Sequence, residues 1–177
     1  METTTPDMMT GWPLTAWMGC RVAISSPYLT ERAIQDGRCD VLALIRQAMA
    51  HGVEVVIYVN PEQNIEDGQG RSRRLKATSL RAADLLAAAG AEVVPVKRVH
   101  AETLSADDAE IVEGSFNWLS AARDEASAYQ RFEASFRYPG QYVVKVWNEW
   151  RPRGSRERRW RNWRLVLLVA PVRLIIG

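Results

Sequence analysis

The spacing of apolar and polar positions changes along the chain, and each change predicts an element. After Arg21, the run Val22-Ala23-Ile24-Ser25-Ser26 reads as a short buried strand stopped by Pro27, which has no N–H for a ladder. A helix is expected next. A second helix starts at Asp40, a good N-cap, because Val41, Leu44, Ile45 and Ala48 recur at i, i+3, i+4 and i+7 and form one apolar stripe. His51-Gly52 closes it. Val53 to Val59 is a near-continuous β-branched run, the pattern of a strand covered on both faces, and Asn60-Pro61 ends it. Glu62 to Arg71, rich in Gly, Gln, Asn and Asp, predicts a mobile surface loop. Leu75, Ala82, Leu86 and Ala89 outline a further amphipathic helix ending at Gly90, and Glu92 to Val96 is a third strand. This alternation implies right-handed crossovers and a mainly parallel sheet.

From His100 the rhythm shortens. Thr103 to Ala106 and Ala109 to Glu113 are strand candidates on either side of an Asp107-Asp108 turn, and Gly114-Ser115 opens another turn. Arg131 to Tyr138 alternates Phe132, Ala134, Phe136 and Tyr138 with polar residues, the pattern of a half-buried strand, and Pro139-Gly140 stops it. The fold class that follows is α/β: a mainly parallel or mixed β-sheet flanked by helices, in the order βαβαβ-ββ. The 177 residues suit one core with an extension at each end, 1–20 and 151–177 around a domain at 21–150.

Composition narrows the picture. With 47% hydrophobic and 25% charged residues, the chain falls among folding globular proteins and outside the disordered class. Cys20 and Cys39 are too few for a disulfide framework or a closed zinc site, and Met1 to Met18 lacks the basic start of a secretory signal; both predict a cytoplasmic protein. The net charge of +2 is unevenly spread: Arg151 to Arg164 holds seven arginines and one glutamate, +6, leaving 2 − 6 = −4 elsewhere. A basic surface for nucleic acid therefore has to come from this tail. The apolar run Leu165 to Ala170 that follows is too short, and too soon interrupted by Pro171 and Arg173, to span a bilayer. The tail reads as an interfacial anchor, as a basic arm whose tryptophans stack on bases, or as a poorly packed extension.

His100, Asp107, Gly114, Ser115 and Asn117 fall in the spacing H-x-K-x4-D-x6-G-S-x-N, with Glu102 in the lysine place. The run His100 to Ser120, with the strand and helix order before it, resembles the phospholipase D superfamily over about Arg21 to Tyr138. The expected element is a phospholipase D-like half-domain. A strand points alternate side chains to one face, so His100 and residue 102 are expected to project together into one pocket. The resemblance implies that His100 attacks phosphorus to form a phosphohistidine while a second imidazole protonates the leaving oxygen. It assigns Ser115 and Asn117 to phosphate oxygens, Gly114 to a turn approached closely by the phosphate, Asp107 to a supporting hydrogen bond, and Glu133 to orienting the histidine. It implies no metal or other cofactor. A metal site from Glu102, Asp107 and Asp108 is disfavoured because acidic pairs in turns are usually solvated.

Glu102 departs from the family pattern. Two unit charges about 4 Å apart interact by about 4 kcal/mol at an effective dielectric near 20, so a carboxylate in place of a cation should slow the reaction by about a thousandfold or more. Arg98, by strand parity with His100, and Arg123 and Arg131, by proximity in sequence, are candidates to replace the missing charge. The family's site also needs two histidines. His51, at a helix end, is explained by the helix dipole. A homodimer, or a partner phospholipase D half-domain, would supply the second. The expected substrate is a phosphodiester, nucleic acid before phospholipid. The rival readings are a non-catalytic phosphate- or nucleic-acid-binding or dimerising module, and a fragment of a larger helicase-linked effector.

Overall fold

A computed structural model of the chain describes residues 21–37, 39–66, 75–107, 109–121 and 134–139, with only the backbone of Tyr138 and Pro139. The expected extensions at 1–20 and 151–177, Glu133, Phe132, Arg123 and Arg131 lie outside these residues.

β1 (Arg21–Ser26) is an unbroken apolar-to-serine run, and all of it after Arg21 is buried. Helix α1 (Glu31–Ile34) is a single turn capped by Thr30, whose Oγ1 accepts from Ala33 N at 3.4 Å. α2 (Val41–Ala50) starts where Asp40 Oδ1 accepts from Ala43 N at 2.9 Å, a cap worth about 1 kcal/mol. It buries Val41, Leu42, Ile45 and Ala48 and leaves Leu44 half-buried. His51 Nδ1 lies 2.7 Å from Gln47 O, and Gly52 (φ +80°) supplies the left-handed residue that turns the chain into the next strand. β2 (Glu54–Val59) follows.

The segment expected to be a mobile loop begins instead as a 3-10 turn, Pro61–Asn64, and Asn64 is buried. Leu75 is not on the helix stripe: it pairs with Ile65 in an isolated bridge, and α3 (Ala77–Ala88) starts two residues later. β3 (Glu92–Pro95), β4 (Glu102–Ala106), β5 (Glu110–Gly114) and β6 (Ser135–Pro139) complete the described elements.

The six strands form one mixed sheet in the order β3-β2-β1-β4-β5-β6. β1, β2 and β3 run parallel, and β4, β5 and β6 are antiparallel to their neighbours. All three described helices pack on one face, where Ile34, Leu42, Ile45, Ala82 and Leu86 meet Val22, Ile24, Ile57, Val93 and Leu104. Two crossovers of the same hand that step outward in one direction, β1 to β2 to β3, place their helices on the same side. The opposite face carries a smaller apolar cluster of Ala23, Val56, Tyr58 and Val94.

β6 has the reverse phase of the one expected. Ser135 is buried at 4% exposure while Phe136 is 45% exposed. The pairing of Ser135 with Gly114 turns Ser135 onto the helix-bearing face shared with Val112, and Phe136, opposite Glu113, takes the other face. No helix among the described residues is long and apolar enough to cross a membrane.

Where β1 and β2 leave the sheet, a buried polar knot replaces the ladder. Asn64 Nδ2 donates to Pro27 O (2.9 Å) and Asn60 O (2.6 Å), while its Oδ1 accepts from Leu29 N (3.0 Å) and from Ser79 Oγ (3.0 Å). Ser79, in the first turn of α3, has one hydroxyl proton, shared between Asn64 Oδ1 and Leu29 O, the latter at 2.8 Å. One side chain thus ties two strand exits to a helix start. Asn64→Ala leaves these groups unpaired in a closed interior, and urea unfolding should show a loss of roughly 2–4 kcal/mol; a loss under about 0.5 kcal/mol would mean the knot is not what holds this end together.

Candidate functional site

The carboxyl ends of β1 and β2 and the amino end of β4 lie together, because β4 runs antiparallel to β1 with Ser25 opposite Thr103. β4 and β5 bring the two ends of the motif side by side, with Glu102 opposite Gly114. His100 lies two residues before β4, and Ser115 and Asn117 lie one and three residues beyond β5. His100, Glu102, Ser115 and Asn117 therefore lie, with Gly114, at one end of the sheet.

His100 precedes β4 instead of lying in it, so strand alternation does not set its direction, as had been expected. It is exposed, on a segment that leaves β3 at the sheet's edge and reaches β4 on the far side of β2 and β1. Within that segment Val99 N reaches Val96 O at 3.5 Å across a turn, and Arg98 adopts φ +63°. Arg98 does not share strand parity with His100 either, because a left-handed residue in a turn has no strand phase. Lys97 and Arg98 are both exposed there.

Beyond β5 the chain is anchored by its neighbours in sequence. Phe116 and Trp118 are buried and meet edge to face, with centroids 5.3 Å apart and planes at 78°. Leu119 is fully buried and its carbonyl accepts from Thr30 N at 3.0 Å. These anchors contribute about 1.5–3 kcal/mol each by burial and leave Asn117 held between two fixed rings. Asn117 O closes the next turn by accepting from Ser120 N and Ala121 N at 3.1 and 2.9 Å. Its Oδ1 is buried without a hydrogen-bond partner among the described residues. A buried amide oxygen in that state is costly unless something donates to it. Ser115 N donates to Ala134 O at 3.0 Å, and its Oγ accepts from Ala134 N at 3.2 Å.

Gly114 is required for a different reason from the one expected. A methyl group there would collide with Ala134 O, Ser135 Oγ and, at 2.6 Å, Ser135 Cα, so the space is taken by β6 and not kept open for a phosphate. Asp107 is likewise elsewhere. It follows the last residue of β4, about 17 Å from Glu102 at strand rise. Its Oδ1 accepts from Arg21 N at 2.7 Å while its own N–H donates to Arg21 O at 2.8 Å, with φ +45°. Asp107 therefore supports the turn at the opposite end of the sheet from His100. Glu102 is half-buried at the head of β4. Among the described residues no group of His, Cys, Asp and Glu is arranged to hold a metal ion.

Residue patterns had not pointed to Ser25, Asn60, Asn64 or Ser79. The available signal was placement: two buried strands end in Ser25-Ser26 and Asn60, short polar residues where an apolar run would suffice for a core.

No protein-family model matches the chain, and no curated protein matches it in sequence. Its likeness is to solved structures, and the fold they define is that of phospholipase D family members. Nuc from Salmonella typhimurium, described as a member of that family, superposes with a TM-score of 0.52 at 17% identity over 77% of this chain and 82% of that one. NucT from Helicobacter pylori gives 0.51 at 16% identity over 77% and 81%. A polyphosphate kinase from Porphyromonas gingivalis gives 0.53 at 14% identity, over 81% of this chain and 24% of that larger one. At such identities the likeness concerns the fold.

The contact at Gly114 yields a direct test of the local geometry. Gly114→Ala should separate β5 from β6, costing about 1–3 kcal/mol, and should speed hydrogen exchange of the Ser115 amide. An unchanged Ser115 amide would show that β6 is not seated against Gly114.

Proposed function

We propose that the chain is a phospholipase D-type phosphodiesterase that hydrolyses nucleic-acid phosphodiesters through a phosphohistidine, and that Glu102 holds it at low activity. The observation that supports this most directly is the pairing of Glu102 with Gly114, which puts His100, Ser115 and Asn117 at one end of the sheet. The fold shared with Nuc and NucT agrees with it.

In this reading a ring nitrogen of His100 attacks phosphorus, a P–N bond forms and the P–O bond to the leaving group breaks. A second imidazole gives that oxygen its proton. Water then attacks the phosphohistidine, loses a proton to the second imidazole and releases His100. Ser115 and Asn117 hold the non-bridging oxygens, Asn117 through its Nδ2 donor, since its buried Oδ1 can only accept. Glu133 is proposed to orient the His100 ring. Asp107 takes part only by fixing the far end of β4.

The second imidazole comes from another copy of the chain. The sequence has two histidines, and His51 sits at the entry to β2, about 20 Å of strand from the carboxyl end where His100 lies. A homodimer related by a two-fold axis would face two His100 side chains across one site. Glu102 also supports a second reading, a phosphate-binding or dimerising module without turnover, because a carboxylate beside the phosphate opposes the charge developed in the transition state.

Single-stranded DNA cleavage in chelator separates the readings. Glu102→Lys should gain about a hundredfold or more over the natural chain, from several kcal/mol of reversed electrostatics. His100→Ala should abolish the activity in both backgrounds, and sedimentation should give a dimer. An inert Glu102→Lys dimer rules out the catalytic reading, and vigorous cleavage by the natural chain rules out the silencing by Glu102. Phosphatidylcholine offered in parallel should remain intact.

A further inference from the structure

His100 is exposed, so packing does not fix its position, and it lies outside the strand ladder. What holds its backbone is a pair of buried side chains from the two neighbouring strand ends. Asn60, 3% exposed just beyond β2, donates from Nδ2 to Val99 O at 3.0 Å. Ser25, 1% exposed in β1, donates from Oγ to Ala101 O at 2.7 Å. The two carbonyls flank His100. We infer that Asn60 and Ser25 are positioning residues that clamp the peptide planes before His100 and after Ala101 and so aim the His100 imidazole. The catalytic consequence rests on the reading of His100 as the nucleophile; the clamp itself does not.

The chemistry of each contact is directional. The Oδ1 of Asn60 accepts from Glu62 N at 3.0 Å, which fixes the orientation of the amide and leaves its NH2 for Val99 O. The hydroxyl of Ser25 donates along a short bond inside the sheet. Peptide planes are rigid, so pinning the one before His100 and the one after Ala101 leaves only the φ and ψ of those two residues between fixed ends. Asn60 also belongs to the knot, since its carbonyl accepts from Asn64. The His100 segment is thereby referenced to the exits of β1 and β2 together. Orientation of this kind matters because a displacement of about 1 Å can cost about a hundredfold in rate.

Two adjacent serines make a matched test on the full natural chain. Ser26 is as buried as Ser25, but its hydroxyl donates to Tyr28 O at 2.9 Å and makes no hydrogen bond at 99–101. With two histidines in the chain, the ring signals of His51 and His100 can be told apart, and His51 serves as internal reference. Ser25→Ala and Asn60→Ala should lower the amide order parameters of His100 and Ala101 from about 0.85 towards about 0.6. They should also shift and narrow the His100 ring resonance while that of His51 stays still. Ser26→Ala should change neither, and Ser25→Thr, which keeps the hydroxyl, should restore the natural spectrum. In the Glu102→Lys background Ser25→Ala should reduce kcat by roughly 10- to 100-fold with KM within about twofold. Unchanged order at His100 in folded Ser25→Ala overturns the clamp, as does an equal effect from Ser26→Ala. If His100→Ala retains cleavage, the catalytic reading fails alone, and the spectra still decide whether the clamp exists.

Discussion

Backbone groups that leave a buried sheet need partners, and at the carboxyl ends of β1 and β2 there is no further strand to provide them. Amide side chains from Asn60 and Asn64 do so. They are short enough to fold back on their own loop, and each offers both a donor and an acceptor at fixed spacing. Because Asn64 serves Pro27, Leu29, Asn60 and Ser79 together, the exits of both strands and the first turn of α3 cannot move independently. The motif loop is joined to the same frame through Thr30 and Leu119. A cluster made only of apolar side chains would bury similar area but would not specify where those carbonyls point.

The sheet has a parallel half and an antiparallel half, and the candidate site lies over the join. β1 is bonded to β2 on one side and to β4 on the other, so the chain departs at one edge in β3 and must come back across the strand ends to enter β4. In open α/β sheets such reversals leave a crevice at the carboxyl ends of the parallel strands. His100 arrives there on the returning segment and Asn117 on the loop after β5. Glu102 heads β4 between them, half-buried at a strand end and outside the apolar core.

Much of the architecture was legible in the sequence, and the reasons differ from element to element. β1, α2 and β2 followed from runs whose local pattern agrees with their burial, and Asp40 and Gly52 mark helix ends by well-defined chemistry. β6 was misread because its aromatic residues suggested the inner face, whereas register against β5 put Ser135 inward and Phe136 outward. Pairing outranks hydrophobicity in a strand whose partner is fixed. The loop after Asn60 was misread because polar composition was taken for solvent exposure, although Asn64 is polar for the opposite reason. At the candidate site, the spacing from His100 to Asn117 grouped four residues that the strand pairing brings to one end of the sheet. It could not separate Asp107, whose five-residue distance along β4 carries it to the other end, nor reveal why Gly114 lacks room for a side chain.

The segment from Pro95 to Glu102 also constrains how this fold can vary. It crosses the ends of two strands to join the outer ones, about 14 Å at ordinary strand spacing, with a contour of roughly 23 Å that includes a tight reversal at Lys97-Arg98. Little slack remains. Insertions and deletions can accumulate in the stretch between Ile65 and Leu75, whose ends are already bridged, but a change of length beside His100 would shift the imidazole relative to the strands that hold it. At this edge of the molecule an exchange of side chain leaves the path of the segment intact, whereas a change of its length does not.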